Sequence, residues 1–197
     1  MKIHNIEQGT PEWFELRKLK MTASNAQAIG NVGKGLDTYI YELLAESLSS
    51  ASKEHYTNEH IERGKELESQ ARALYELENG VLVQEVGFIE HNQYSGCSPD
   101  GLIAENGGLE IKCLNDVKHL KVLIHGIKEV ESSYIWQIQM SLLITGRLWW
   151  DLVLYNPNFE KSLIVFRILP DEEKHKKLLT GLSVGEQRIA ELKKLLI

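Results

Sequence analysis

A mixed α/β fold is predicted by three observations. Segments with an apolar period near 3.6 stand before, between and after segments that alternate or run apolar. No internal repeat, low-complexity tract or Pro/Gly-rich linker divides the 197 residues, so one domain over residues 1–197 is expected. With 43% hydrophobic and 25% charged residues, the chain can bury about 70% of its unfolded surface without disulfides or a structural metal.

Thr10-Pro11-Glu12 is a helix start, with a threonine cap and proline at the first helical position, opening a segment through Leu19. A second helix begins near Ser24. Gly30-Asn31-Val32-Gly33-Lys34-Gly35 reads as a mobile loop; it misses the P-loop spacing and lacks Ser/Thr after Lys34, which excludes an NTPase. From Asn58 to Glu78, ended by Asn79-Gly80, a helical period sets Ile61, Gly64, Leu67, Ala71, Leu74 and Tyr75 on one side. Residues 81–91 and 96–104 read as strands, and Glu105-Asn106-Gly107-Gly108 as a turn into a strand from Leu109 to Cys113. Asn115 or Asp116 caps a helix to about Ile127, and Ser132 or Ser133 caps another through Thr145, stopped by Gly146. Leu148–Tyr155 and Ser162–Leu169 are strands around Asn156-Pro157-Asn158, and Asp171 caps a final helix.

Several function classes drop out. Cys97 and Cys113 belong to no CxxC or Cys/His array and are expected to be small buried thiols, while His55 and His60 lack ligand-like neighbours. Apolar runs such as Leu148–Tyr155 are far below the roughly 20 residues of a membrane span, and no secretory signal precedes Pro11, so a cytoplasmic protein is expected. The formal charge of −6 argues against a broad nucleic-acid surface, so any DNA contact must be local.

Chemistry concentrates in Ser98-Pro99-Asp100-Gly101 and Glu110-Ile111-Lys112, with nine residues between Asp100 and Glu110. On a strand, Glu110 and Lys112 share a face while Ile111 enters the core and leaves its carbonyl available. Two carboxylates and a carbonyl oxygen suit Mg²⁺ or Mn²⁺, and the lysine can orient or help deprotonate an attacking water. This is the pattern of the PD-(D/E)xK nuclease signature, although Asp-Gly turns and Glu-x-Lys pairs also occur on solvated strand faces. Glu68 falls inside the apolar stripe of its helix, whereas Glu66 points away. An inward carboxylate needs a partner, either a metal or Arg72 one turn on.

Further blocks accompany the signature in order: Gly9-Thr10-Pro11-Glu12-Trp13, Arg17, Thr22-Ala23-Ser24, Arg63-Gly64-Lys65-Glu66-Leu67-Glu68, Cys97-Ser98-Pro99-Asp100-Gly101, Glu110-Ile111-Lys112-Cys113 and Gln137-Ile138-Gln139. This set resembles the phage lambda exonuclease and YqaJ-type viral recombinase family, from about Gly9 to beyond Gln139. The resemblance implies a restriction-endonuclease-like core, a central mixed sheet flanked by helices. It also implies 5′-to-3′ degradation of one strand of linear duplex DNA to mononucleotides, leaving a 3′ overhang for recombination. It places metal ligands on Asp100, Glu110, the carbonyl of Ile111 and Glu68, the catalytic lysine on Lys112, and two Mg²⁺ ions, replaceable by Mn²⁺, at the site. Arg17, Ser24, Ser98 and Gln137 match the family's pocket for the terminal 5′-phosphate, and Lys34 matches a basic DNA contact. A homotrimeric ring on DNA ends, a single-strand-annealing protein as partner, and a phage or prophage origin within a bacterial host are implied as well.

Residue chemistry agrees with that pocket. Arg17 offers a bidentate phosphate donor, Ser24 a hydroxyl near a helix start, and Gln137 lies with Tyr134 and Ser141 on a polar stripe from which Gln139 faces away. The residues leave two alternatives: a structure-specific or restriction-type endonuclease on the same core, or a non-catalytic DNA-end scaffold.

Overall fold

The computed structural model describes residues 1–49 and 59–195. In chain order they form β1 (Lys2–His4), α1 (Pro11–Arg17), β2 (Met21–Thr22), a 3-10 turn (Ala23–Asn25), α2 (Ala26–Asn31), α3 (Lys34–Leu48) and α4 (Glu59–Asn79). Next come β3 (Val83–Gln84), β4 (Phe88–Asn92), β5 (Ser95–Cys97), β6 (Gly101–Ile103) and β7 (Gly107–Cys113). The chain then runs through α5 (Asp116–His125), a 3-10 turn (Gly126–Glu129), α6 (Ser132–Thr145), β8 (Trp149–Tyr155), β9 (Leu163–Ile168) and α7 (Glu172–Lys194).

The expected single sheet is divided into two hydrogen-bonded mixed sheets, of order β3-β6-β7-β8-β9 and β1-β4-β5-β2. In the larger, β7 and β8 pair in parallel and the other neighbours antiparallel. Parallel pairing requires a crossover, and α5 and α6 supply it. Because strand side chains alternate, Trp150, Leu152 and Leu154 of β8 join the core built with α2, α3, α6 and α7. Val153 and Tyr155 join Leu109 and Ile111 against Ala71 and Tyr75 of α4 on the other face. Both faces of β8 are covered, which explains its nearly continuous apolar run. Asp151 is the exception: it is buried and neutralised by the Tyr75 hydroxyl at 2.7 Å and by two Arg167 nitrogens at 2.9 Å.

Thr10, Asn115 and Asp171 cap their helices through side-chain oxygens, and Gly146 ends α6 in the left-handed region, as expected. Four local expectations are corrected. The helix from Pro11 stops at Arg17, because Leu19 takes a φ of 57°. The Gly30–Gly35 loop shrinks to Val32 and Gly33: Gly30 is buried in α2 against the Trp136 indole, and Lys34 opens the unanticipated helix α3. Val32, at a φ of 43°, breaks the helical path between them. Glu131 rather than Ser132 or Ser133 precedes α6 as its cap. Gly107 and Gly108 lie in β7 rather than in the turn, where a Cβ would overlap the Trp149 and Trp150 indoles of the parallel neighbour. His55 and Asn58 lie outside the described residues, as do the side chains of Ile61, Arg63, Lys65 and His60.

α7 crosses α2 so closely that Gly181 rests on the Ile29 carbonyl, where a larger residue would collide with backbone. No helix among the described residues is long and apolar enough to cross a membrane.

Candidate active site

The acids assemble because three elements meet at one end of the β6–β7 hairpin. Asp100 precedes β6, and its Oδ2 accepts the Ile111 N–H of β7 at 2.6 Å. Glu110 and Lys112 stand opposite Leu152 and Leu154, so both face α6. There Gln137 Nε2 donates to Glu110 Oε1 at 2.5 Å, and Lys112 Nζ lies 2.8 Å from the same oxygen and 3.3 Å from Gln137 Oε1. Glu68 arrives from α4, while Glu66 is exposed, in agreement with the helical phase read from sequence. Arg72 pairs with Glu68 at 2.9 Å.

Electrostatics follow from crowding acids in a buried place. Glu110 is only 2% exposed, and burial followed by repulsion from Asp100 pushes its carboxyl up to about 8. Burial and Asp100 likewise push Glu68 up to about 7, with Arg72 opposing. Burial raises Asp100 too, against the pull of Lys112 and the Ile111 N–H. Burial works against the Lys112 ammonium, but Glu110 and Asp100 outweigh it and hold the lysine charged.

Among the described residues, no three His, Cys, Asp or Glu side chains already enclose a cation in this conformation. The donor chemistry nevertheless fits one. Oε2 of Glu110 is buried without a hydrogen-bond partner, and two further carboxylates repel it electrostatically. Hard carboxylate oxygens crowded together, whose ionised forms a cation would stabilise, suit Mg²⁺ or Mn²⁺.

A second group lies beside the acids. Ser98, two residues before Asp100, accepts from Arg17 Nη1 at 2.7 Å and Trp13 Nε1 at 3.1 Å, and the Arg17 guanidinium stacks 4.0 Å over the Trp13 ring. Ser24 lines the same cleft of about 290 Å³, its hydroxyl 3.1 Å from Thr22 Oγ1, which in turn meets the Tyr39 hydroxyl. Trp13 also borders a cleft of about 600 Å³ that runs past Glu68, Arg72 and Asp100. The structure therefore unites Arg17, Ser24 and Ser98, whereas Gln137 is bonded to the acid cluster. Lys34 is exposed at the start of α3.

Of the two thiols, Cys97 is buried and Cys113 half-buried; burial pushes them up to about 12 and about 11, so both stay protonated. Sequence reading missed Tyr39, Glu42 and Glu46, which line the Arg17 cleft from α3, and Glu85, which pairs with Arg72. The period of Leu36, Tyr39, Ile40, Leu43 and Leu44 was the available signal for α3.

A family model described as a YqaJ-like viral recombinase domain matches residues 12–148. Two crystal structures of LHK-Exo, an alkaline exonuclease from Laribacter hongkongensis, resemble the chain over nearly their whole length. The complex with dAMP is 34% identical, with a TM-score of 0.84 over 94% of this chain and 96% of that one. The second is 33% identical, with a TM-score of 0.80 over 95% and 98%. A phage-related exonuclease from Haemophilus somnus 129PT, 16% identical with a TM-score of 0.65 over 93% and 99%, shares the fold. No curated protein sequence matches significantly. With this match and the restriction-endonuclease-like fold of those exonuclease structures, the chain belongs to the YqaJ-like viral recombinase family of lambda exonuclease-like proteins.

Proposed function

We propose that the protein is a Mg²⁺-dependent exonuclease that degrades the 5′-ended strand of linear duplex DNA to mononucleotides, leaving a 3′ overhang for recombination by single-strand annealing. The observation that carries this reading is the Ser98-Pro99-Asp100 turn. Within two residues it joins a phosphate-type donor group, Arg17 with Ser98, to the carboxylates of Asp100 and Glu110. A terminal phosphate seated on Arg17 and Ser98 brings the first internucleotide linkage to the acids. The dAMP held by LHK-Exo is a deoxynucleoside monophosphate, the product class this arrangement would release.

Arg17 grips the terminal phosphate through charge-assisted hydrogen bonds, with the Ser98 and Ser24 hydroxyls completing the contact. Asp100, Glu110, Glu68 and the Ile111 carbonyl would hold the divalent cations. Bound there, the metal supplies Lewis-acid stabilisation of the scissile phosphate and lowers the pKa of the attacking water. Lys112 stays protonated beside Glu110, so it donates to the nucleophile and to developing negative charge rather than taking a proton. Gln137 fixes the Glu110 carboxylate and Lys112 relative to one another. Lys34 would add a basic contact to the duplex. An acidic chain of net charge −6 can thread DNA if a ring of three copies turns its few basic residues inward, and an annealing protein would take up the strand it leaves.

The test is one incubation series with Mg²⁺ or with chelator. Linear duplex should lose a 5′ label first as a mononucleotide, retain a 3′ label, and stay intact under chelation; a covalently closed circle should survive. Cutting of the circle would assign an endonuclease instead. The mass in solution, by light scattering, should be three times that of one chain.

A further inference from the structure

Arg72 takes no part in the steps above, yet it sits among the acids. Its guanidinium spans two carboxylates: Nη2 lies 2.9 Å from Glu68 Oε1, and Nη1 lies 2.6 Å from Glu85 Oε2. The Arg72 side chain is 12% exposed and its Nε is buried without a hydrogen-bond partner, whereas Glu85, beyond β3, is 71% exposed. Glu68, Arg72, Glu85 and Asp100 all line the larger cleft. A helical ion pair one turn apart needs only two partners. Here a third residue, from another element, holds the far side of the guanidinium.

We propose that Arg72, braced by Glu85, is a positioning residue that aims Glu68 at Asp100. Engaged by Arg72 through Oε1, Glu68 would keep its second oxygen for the divalent cation that Asp100 and Glu110 would also hold. This inference rests on the metal-dependent nuclease reading of the site. The planar fork matters because one nitrogen serves each carboxylate, which the single ammonium of a lysine cannot reproduce.

Charge and position predict opposite signs. Removing a guanidinium makes the cluster more negative, which by charge alone tightens cation binding. Loss of positioning weakens it. The experiment compares wild type with Arg72→Gln, Arg72→Lys and Glu85→Gln. Mn²⁺ binding without DNA is read from the paramagnetic resonance of free Mn²⁺, and linear duplex is used for the dissociation constant and the single-turnover rate. Arg72→Gln should weaken Mn²⁺ binding and slow the single-turnover rate by about tenfold each, with DNA-end affinity within about twofold. Arg72→Lys should recover only part of either loss. Glu85→Gln alters an exposed side chain, leaves the fold intact and should shift both readouts the same way by a smaller factor.

Unchanged or tighter Mn²⁺ binding in Arg72→Gln overturns the proposal, as does a Glu85→Gln protein identical to wild type in both readouts. If Arg72→Gln does not fold, Arg72→Lys decides, because it keeps the positive charge and loses only the fork: wild-type Mn²⁺ binding and rate in that variant then overturn the proposal. A wild type that binds Mn²⁺ but leaves DNA uncut removes the nuclease reading and leaves the binding test of Arg72 standing.

Discussion

Cation binding should expel protons, in a number set by pH. Glu110 and Glu68, ordinarily near 4.5, are pushed up to about 8 and about 7 by burial and by Asp100. At pH 6 the two carboxyls together hold about two protons, at pH 7.5 about one, and at pH 9 about a tenth of one. A divalent cation requires them ionised, so its binding at pH 6 should release about two protons and its affinity should rise about 10³-fold from pH 6 to pH 9. Calorimetric titration of Mn²⁺ in two buffers of different ionisation enthalpy counts the protons directly. Release below about half a proton at pH 6, or an affinity flat across this range, would refute the raised acids. The same shifts act on folding. The native state binds these protons more tightly than the unfolded chain, so in the cation-free protein their stabilisation is complete below about pH 4.5 and is lost as pH rises through about 7 to 8. Saturating Mg²⁺ should restore thermal stability most strongly at the alkaline end.

Glu68→Gln should slow turnover about tenfold or more, whereas Glu66→Gln, on the exposed side of α4, should stay within about twofold; equal effects would place the wrong carboxylate at the site. Lys112→Ala should lower the single-turnover rate about 100-fold at saturating enzyme with little change in end affinity, because the charged lysine acts on the transition state. Arg17→Ala should erase most of the preference for 5′-phosphate over 5′-hydroxyl ends in initial-rate assays, since each charge-assisted hydrogen bond contributes about 1.5–3 kcal/mol. Tyr75→Phe should lower the urea unfolding midpoint by an amount equivalent to about 2 kcal/mol, because buried Asp151 then loses one of its donors.

Legibility of the site tracked how local its determinants are. The phase of Glu68 follows from 100° per residue along one helix, and the shared face of Glu110 and Lys112 from strand alternation, so both were readable. The caps at Thr10, Asn115 and Asp171 were readable for the same reason. Asp100 meeting the Ile111 N–H depends on hairpin register, set by the pairing of Gly101 with Leu109 rather than by any local period. By contrast, α3 was hidden behind Gly30–Gly35: glycine propensity suggested a loop, but packing against Trp136 keeps Gly30 helical. Glu85 was unreadable as a partner of Arg72, because the contact joins two elements through tertiary packing that no periodicity records. The attachment of Gln137 to Glu110 rather than to Arg17 likewise depends on how the crossover lays α6 on the sheet.

The crossing of Gly181 over the Ile29 carbonyl sets an order of assembly on the ribosome. The acids all lie before residue 113, and β8, which covers the parallel edge of β7, is complete by Tyr155. Yet α2, which follows directly on the Ser24 turn, is covered by α7, which begins only at Glu172. During elongation at about 5–20 residues per second, the hairpin bearing Asp100 and Glu110 therefore emerges seconds before the support of the Arg17 cleft. A nascent chain in that interval carries clustered carboxylates without a braced seat for a DNA end, so the docking of α7 acts as the finishing step of the recognition half of the site.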